Sequence, residues 1–167
     1  MASSIVREAM ISISLVVIIL SGLWAITGSW PPLVVVESNS MIHSEDGEIG
    51  AIDAGDLILV TAPERADRII TFAESMQEGN PHQGYESHGM PGDVIIYKKN
   101  GGSDTPVIHR AILKAINNES GGWDVPGTDL RGVDEISVTL QYECYPHGGS
   151  LKIDRWIPSH EGYLTTG

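Results

Sequence analysis

The chain is poor in cysteine, in aromatic side chains and in positive charge, and each shortage closes off a class of protein. Cys144 is the one cysteine among 167 residues, so neither an internal disulfide framework nor a cysteine-based zinc site can form. Ten Lys and Arg stand against 22 Asp and Glu, a formal charge of −12. That argues against a nucleic-acid binder, which needs a basic face, and no nucleic acid is expected as a partner. Aromatics make up 6%, yet hydrophobic residues reach 41%, too many for a disordered acidic tail. The 19 glycines and 9 prolines favour a turn-rich β domain over a helical bundle. The length allows one ordinary domain with an anchor, not two full domains.

Charge is also missing from one long stretch. Between Ala9 and Val36 there is no charged residue, and Ile11 to Ile26 is almost wholly apolar. A helix needs about 20 apolar residues to cross a bilayer. Trp24 and Trp30 fall near the end of the stretch, where indole rings favour the headgroup layer, and Pro31-Pro32 cannot continue a helix. A cleavable signal peptide would use the small residues of Ala25 to Gly28, but the apolar run is long for one and its basic flank is only Arg7. A buried core helix would show a polar face. The expectation is a single-pass anchor over residues 1–30, with residues 31–167 forming a β-rich domain on the extracytoplasmic side of the cell membrane.

After Pro32 short apolar runs alternate with turns. Strands are expected at Leu33–Val36, Gly55–Val60, Gly92–Tyr97, Pro106–Leu113 and Leu151–Trp156, with a hairpin loop at Asn100–Asp104. Residues 64–90 are polar, with a short helix expected over Ala66–Gln77, and 117–149 is a second loop-rich stretch. The fold expected is mostly β, a small curved sheet or barrel behind one N-terminal transmembrane helix.

Two residues suggest chemistry by their setting. Ser40 is expected at the end of the first strand, in Glu-Ser-Asn-Ser-Met, and His109 lies within Val-Ile-His-Arg. A serine hydroxyl is a poor nucleophile without a base, and histidine is the usual base near neutral pH. Taken singly, Ser40 reads as a turn serine and His109 as a satisfied strand histidine; their order changes that. An anchor, then a strand, then Ser-x-Ser-Met at Ser38–Met41, then Gly-Asp strands at Gly55 and Gly92, then Ile-His-Arg at Ile108–Arg110 resembles a type I signal peptidase of the archaeal and endoplasmic-reticulum class.

That resemblance implies a membrane-bound serine endopeptidase that removes signal peptides from secreted preproteins, with no cofactor or metal. It implies Ser40 as nucleophile and His109 as general base and then acid. The Ser40 amide and the Ser38 hydroxyl would form the oxyanion hole. Its partners would be preprotein signal peptides, the lipid bilayer and the Sec translocation machinery. Arg110, on the opposite strand face from His109, is expected to be structural or surface-facing. Asp56 and Asp93 are expected to fix strand starts. Ser40 lies ten residues past Trp30, a tether of at most about 35 Å.

The pattern also departs from the family. Members usually continue to a box near Thr-Lys-Gly-Asp-Asn-Asn, and this chain ends Glu161-Gly-Tyr-Leu-Thr-Thr-Gly167, which reads as that box cut before its aspartate. Asp129, Asp134 and Asp154 are possible replacements, each more plausible as a surface charge. His43, His82, His88, His147 and His160 show no metal spacing, and Cys144 with His147 supplies only two ligands. The alternatives are a catalytically inactive membrane-tethered relative acting as a binding subunit, and a pilin-like structural subunit.

Overall fold

The computed structural model describes residues 2–42, 50–99, 102, 105–142 and 149–167. His43, Cys144 and His147 lie outside the described residues, as does most of the loop expected at Asn100–Asp104. Two compact units are present, Met1–Val36 with Gly55–Arg68, and Glu37–Ala54 with Ile69–Gly167. The first unit therefore takes in more than the anchor.

In that first unit, helix α1 spans Ala2–Thr27. Its stretch Ser4–Thr27 is long and apolar enough to cross a membrane, and none of its apolar core is buried. Ile11 and Ile18 are 61% and 67% exposed, which removes the buried-core-helix alternative. At about 1.5 Å per residue, 24 residues exceed the roughly 30 Å of a hydrocarbon layer.

The helix stops before the prolines, because Gly28 adopts a left-handed φ of +72° and its N–H returns to Trp24 O at 2.7 Å. The remaining end carbonyls find donors from downstream. Ala62 N–H donates to Thr27 O at 2.8 Å, and Arg65 Nη1 donates to Ile26 O at 3.0 Å and to Ala25 O. A cation at this end also complements the helix dipole. Strands β1 (Leu33–Val35) and β2 (Leu57–Leu59) pair antiparallel.

The second unit is organised on one long strand. Its elements are helix α2 (Phe72–Met76) and strands β3 (Glu86–Ser87), β4 (Met90–Pro91), β5 (Val94–Tyr97), β6 (Val107–Asn117), β7 (Trp123–Asp124), β8 (Ile136–Leu140), β9 (Leu151–Trp156) and β10 (Gly162–Thr166). Strand β6 runs between β10 and β5 and also pairs β7, while β3–β4 and β8–β9 form separate two-stranded sheets. The fold is thus an apolar N-terminal helix with many strands in small sheets, and among the described residues no barrel closes.

The core gathers Ile112, Leu113 and Ala115 of β6 against Phe72, Val125 and Ile136, all 2% exposed or less. Helix α2 is shorter than the expected Ala66–Gln77. Thr71 and Glu74 form a reciprocal capping box that starts the helix at Phe72. Just before it, Ile70 is held by Asp93, with N–H to Oδ2 at 2.8 Å and O accepting Asp93 N–H at 2.8 Å. Asp93 also accepts Tyr85 OH at 2.7 Å, which is how it fixes the start of β5.

Arg110 is 1% exposed, so its surface-facing alternative does not hold. Its guanidinium donates to the carbonyls of Ser87 at 2.8 Å, His88 at 3.3 Å and Met90 at 3.1 Å, and to Gly92 O. It thereby clamps the β3–β4 hairpin to β6. Burial pushes its pKa down, opposed by Tyr142 and Asp93 nearby. Hydrogen bonds to a charged group are each worth about 1.5–3 kcal/mol. Arg110→Met, which keeps the bulk and removes the donors, is expected to cost about 3 kcal/mol or more. Thermal unfolding of the detergent-solubilised protein followed by circular dichroism checks this, with exposed Lys98→Met as the neutral control.

Candidate active site

Alternation along the strands decides which side chains meet. In the β5–β6 register Ile95 faces His109 and Tyr97 faces Val107, so Tyr97 and His109 share one face and Arg110 takes the other. Strand β10 reaches the same face through an irregularity. Leu164 pairs Leu113 but Thr165 pairs Ala111, so Ile112 is the extra residue of a bulge. Without it Thr165 would oppose Ile112 and point to the Arg110 side. Bulges commonly re-aim a side chain in this way.

Three polar groups meet on that face. Tyr97 OH and Thr165 Oγ1 are 2.6 Å apart, and they lie 3.4 Å and 3.3 Å from His109 Nδ1. Two adjoining hydroxyls can accept an Nδ1–H, which leaves Nε2 as the basic nitrogen. Burial, helped by the charge of Lys99, holds the His109 pKa below its ordinary 6.5. The imidazole is therefore neutral at pH 7 and able to take a proton.

Ser40 sits in a turn and not at a strand end, since β1 stops at Val35. The turn closes through Ile42 N–H to Asn39 O at 3.2 Å, and Asn39 Oδ1 accepts Ala54 N–H at 3.2 Å. Ser38, Asn39 and Ser40 are exposed, while Met41 is 6% exposed and anchors the turn. Ser38 Oγ and Ser40 Oγ are 3.3 Å apart.

Gly167 joins the serine turn to the histidine strand. A Cβ built on it would lie 3.1 Å from Met41 Sδ, 3.2 Å from His109 Nε2 and 2.5 Å from His109 Cδ2. The residue beside Ser40 and the basic edge of His109 thus flank one glycine, and a Cβ there would require one of those side chains to shift. No hydrogen bond among the described residues joins Ser40 to His109 directly.

Compared with protein-family models, with curated proteins and with solved structures, the chain matches none. Asp129, Asp134 and Asp154 are all exposed, and none is hydrogen-bonded to His109 among the described residues. Among those residues no group of three His, Cys, Asp or Glu comes together as metal ligands. The groups that do meet Nδ1, Tyr97 and Thr165, were not singled out from sequence. Strand parity could have found Tyr97, two residues from Ile95 on a strand expected to pair with the His109 strand. Thr165 depends on the bulge, which carries no signal in the sequence.

Two outcomes are expected. Thr165→Val removes an acceptor for Nδ1–H without opening space, so the His109 pKa should fall further and its preference for the Nδ1–H tautomer should weaken. Nitrogen-15 NMR of the imidazole reads both, and unchanged shifts would show that Thr165 does not orient the ring. The second follows from linkage. The folded chain binds this proton less readily than the unfolded chain, so the stabilising contribution is present above pH 6.5 and is lost as pH falls through the folded pKa. Melting temperature should therefore drop on acidification below 6.5 less steeply in His109→Gln than in the parent protein.

Proposed function

We propose that the chain is a membrane-bound serine endopeptidase that cleaves signal peptides from preproteins outside the cytoplasm, with Ser40 as nucleophile and His109 as general base. The observation that carries this reading is the packing of Met41 and His109 Nε2 about Gly167, which draws the serine turn and the histidine strand to one spot. It is further supported by a neutral, hydroxyl-oriented imidazole and by an N-terminal helix able to hold the protein at a membrane.

In this mechanism Ser40 Oγ attacks the scissile carbonyl carbon as its proton passes to His109 Nε2. Nδ1–H remains donated to Thr165 and Tyr97, so the imidazolium that forms keeps a hydrogen-bonded partner but gains no carboxylate. The oxyanion is met by the Ser40 N–H and the Ser38 hydroxyl, each such donor being worth about 3 kcal/mol. The C–N bond then breaks as Nε2–H protonates the leaving amine. Water, deprotonated by the same nitrogen, releases the acyl group and restores Ser40. Closure of the Ser40–His109 hydrogen bond is assigned to the substrate-bound state, where catalytic hydrogen bonds tighten.

The partners on this reading are the preprotein's signal peptide, the bilayer and the Sec machinery that delivers the preprotein. A short tether between anchor and nucleophile raises the effective concentration of Ser40 on a membrane-inserted substrate. The exposed Ser38–Ser40 hydroxyl contact, in place of a Ser40–His109 contact, favours a second reading as an inactive membrane-tethered binding subunit.

Membranes bearing the full-length chain separate the two readings when incubated with a labelled preprotein. Ser40→Ala and His109→Ala are each expected to slow cleavage by about 10³-fold or more, and Ser38→Ala by about 10²-fold or more. Undiminished cleavage by either of the first two variants overturns the dyad. A parent chain that retains the preprotein but never cuts it establishes the binding subunit instead.

A further inference from the structure

Beside His109 lies an open cleft of about 480 Å³. One side is strand β10 with Thr165, a second is Tyr97 and Lys99 at the end of β5, and the segment Trp156 to His160 forms the far wall. Its charge runs against that of the chain. Lys99 and His160 line it, and no Asp or Glu among the described residues does, although acids outnumber bases 22 to ten.

The nearest candidate for an acidic lining is turned away. Glu161 falls between His160 and Gly162 in sequence, yet its carboxylate accepts Asn117 N–H at 2.7 Å and does not line the cleft. Lys99 is close enough for its charge to bear on the His109 imidazole. The remaining wall is mixed, with the hydroxyls of Ser159, Tyr163 and Thr165 beside Trp156 and Leu164, which offer surface to aliphatic stems. Among the described residues Lys99 is the one formally charged side chain that lines the cleft, so the cleft attracts carboxylates locally in a protein whose net charge repels them.

We propose that this cleft is a subsite for an extended polypeptide segment bearing carboxylate side chains, held beside His109 by Lys99 and His160. The inference rests on the peptidase reading for the identity of that segment. The signal side of a cleavage site is apolar and then small and has no carboxylates for Lys99 and His160 to meet. The acidic segment is therefore the start of the mature protein, downstream of the scissile bond.

The test uses the full-length chain carrying Ser40→Ala, in detergent micelles, with fluorescein-labelled peptides read by anisotropy. One peptide carries aspartates just after the cleavage site, and the other carries asparagines at the same places. The aspartate peptide should bind about ten-fold tighter at low salt, with the gap closing as added salt screens the charges. Lys99→Glu should abolish the preference by weakening the aspartate peptide alone, and His160→Gln should reduce it. Lys99 is exposed, so the variant should keep the parent's circular dichroism. Equal affinity for the two peptides, or a preference that survives Lys99→Glu, overturns the subsite. Binding is read on a chain without its nucleophile. A preference for aspartate in a protein that cuts nothing would therefore keep the subsite and sink the peptidase, and cleavage without preference would do the reverse.

Discussion

The larger unit depends on the hydrogen-bond ladder along Val107–Asn117. This one strand is paired on both edges, so its register fixes what stands on each face of the sheet. Consecutive residues serve opposite purposes. His109 turns to Tyr97 and Thr165, while Arg110 turns inward and takes the carbonyls of the β3–β4 hairpin. A slip of one residue would exchange them, burying a histidine under the hairpin and exposing the arginine. The buried guanidinium thus locks the register on which the histidine's orientation depends. Its cost of desolvation is offset by several charge-assisted hydrogen bonds to those carbonyls.

Much of this could be read from the chain before any coordinates. The uncharged run Ala9–Val36 holds α1, and the apolar runs near Leu33, Leu57, Val94, Val107 and Leu151 all hold strands, because long apolar segments leave few conformations that bury or shield them. Helix α1 ends at Thr27, ahead of Pro31-Pro32, since a glycine in a left-handed conformation ends a helix earlier than a proline forces it to end. The helix over Ala66–Gln77 was overextended for a related reason. Thr71 with Glu74 is a start signal visible in the sequence, and it outranks the weak helical preference of the residues ahead of it.

The tail was harder to read. Glu161–Gly167 is expected as the first part of a glycine-rich box, and in the structure Gly162–Thr166 is a strand of the main sheet. Tyr163, Thr165 and Thr166 suit a strand, but the run is short and follows a glycine, and what pairs it is the open edge of β6, a tertiary feature. The site followed the same division. Ser40 and His109 were chosen from their motifs, whereas the hydroxyls around Nδ1 come from register and a bulge, and neither is local in sequence.

Orientation by hydroxyls, in place of a carboxylate, has a consequence for how the site would work. A carboxylate stabilises the imidazolium by charge and raises its pKa, whereas Tyr97 and Thr165 can only accept a hydrogen bond, and burial with Lys99 acts in the other direction. The histidine is then a weaker base that stays unprotonated into mildly acidic solution. Proton transfer from serine becomes less favourable, yet more of the imidazole is in the form that can accept the proton. A polar group that enters beside Lys99 with negative charge would relieve part of this depression, since it would offset the ammonium that disfavours the imidazolium. On that argument an acidic segment in the cleft would strengthen the base it lies beside, and binding and proton transfer would be coupled through one lysine.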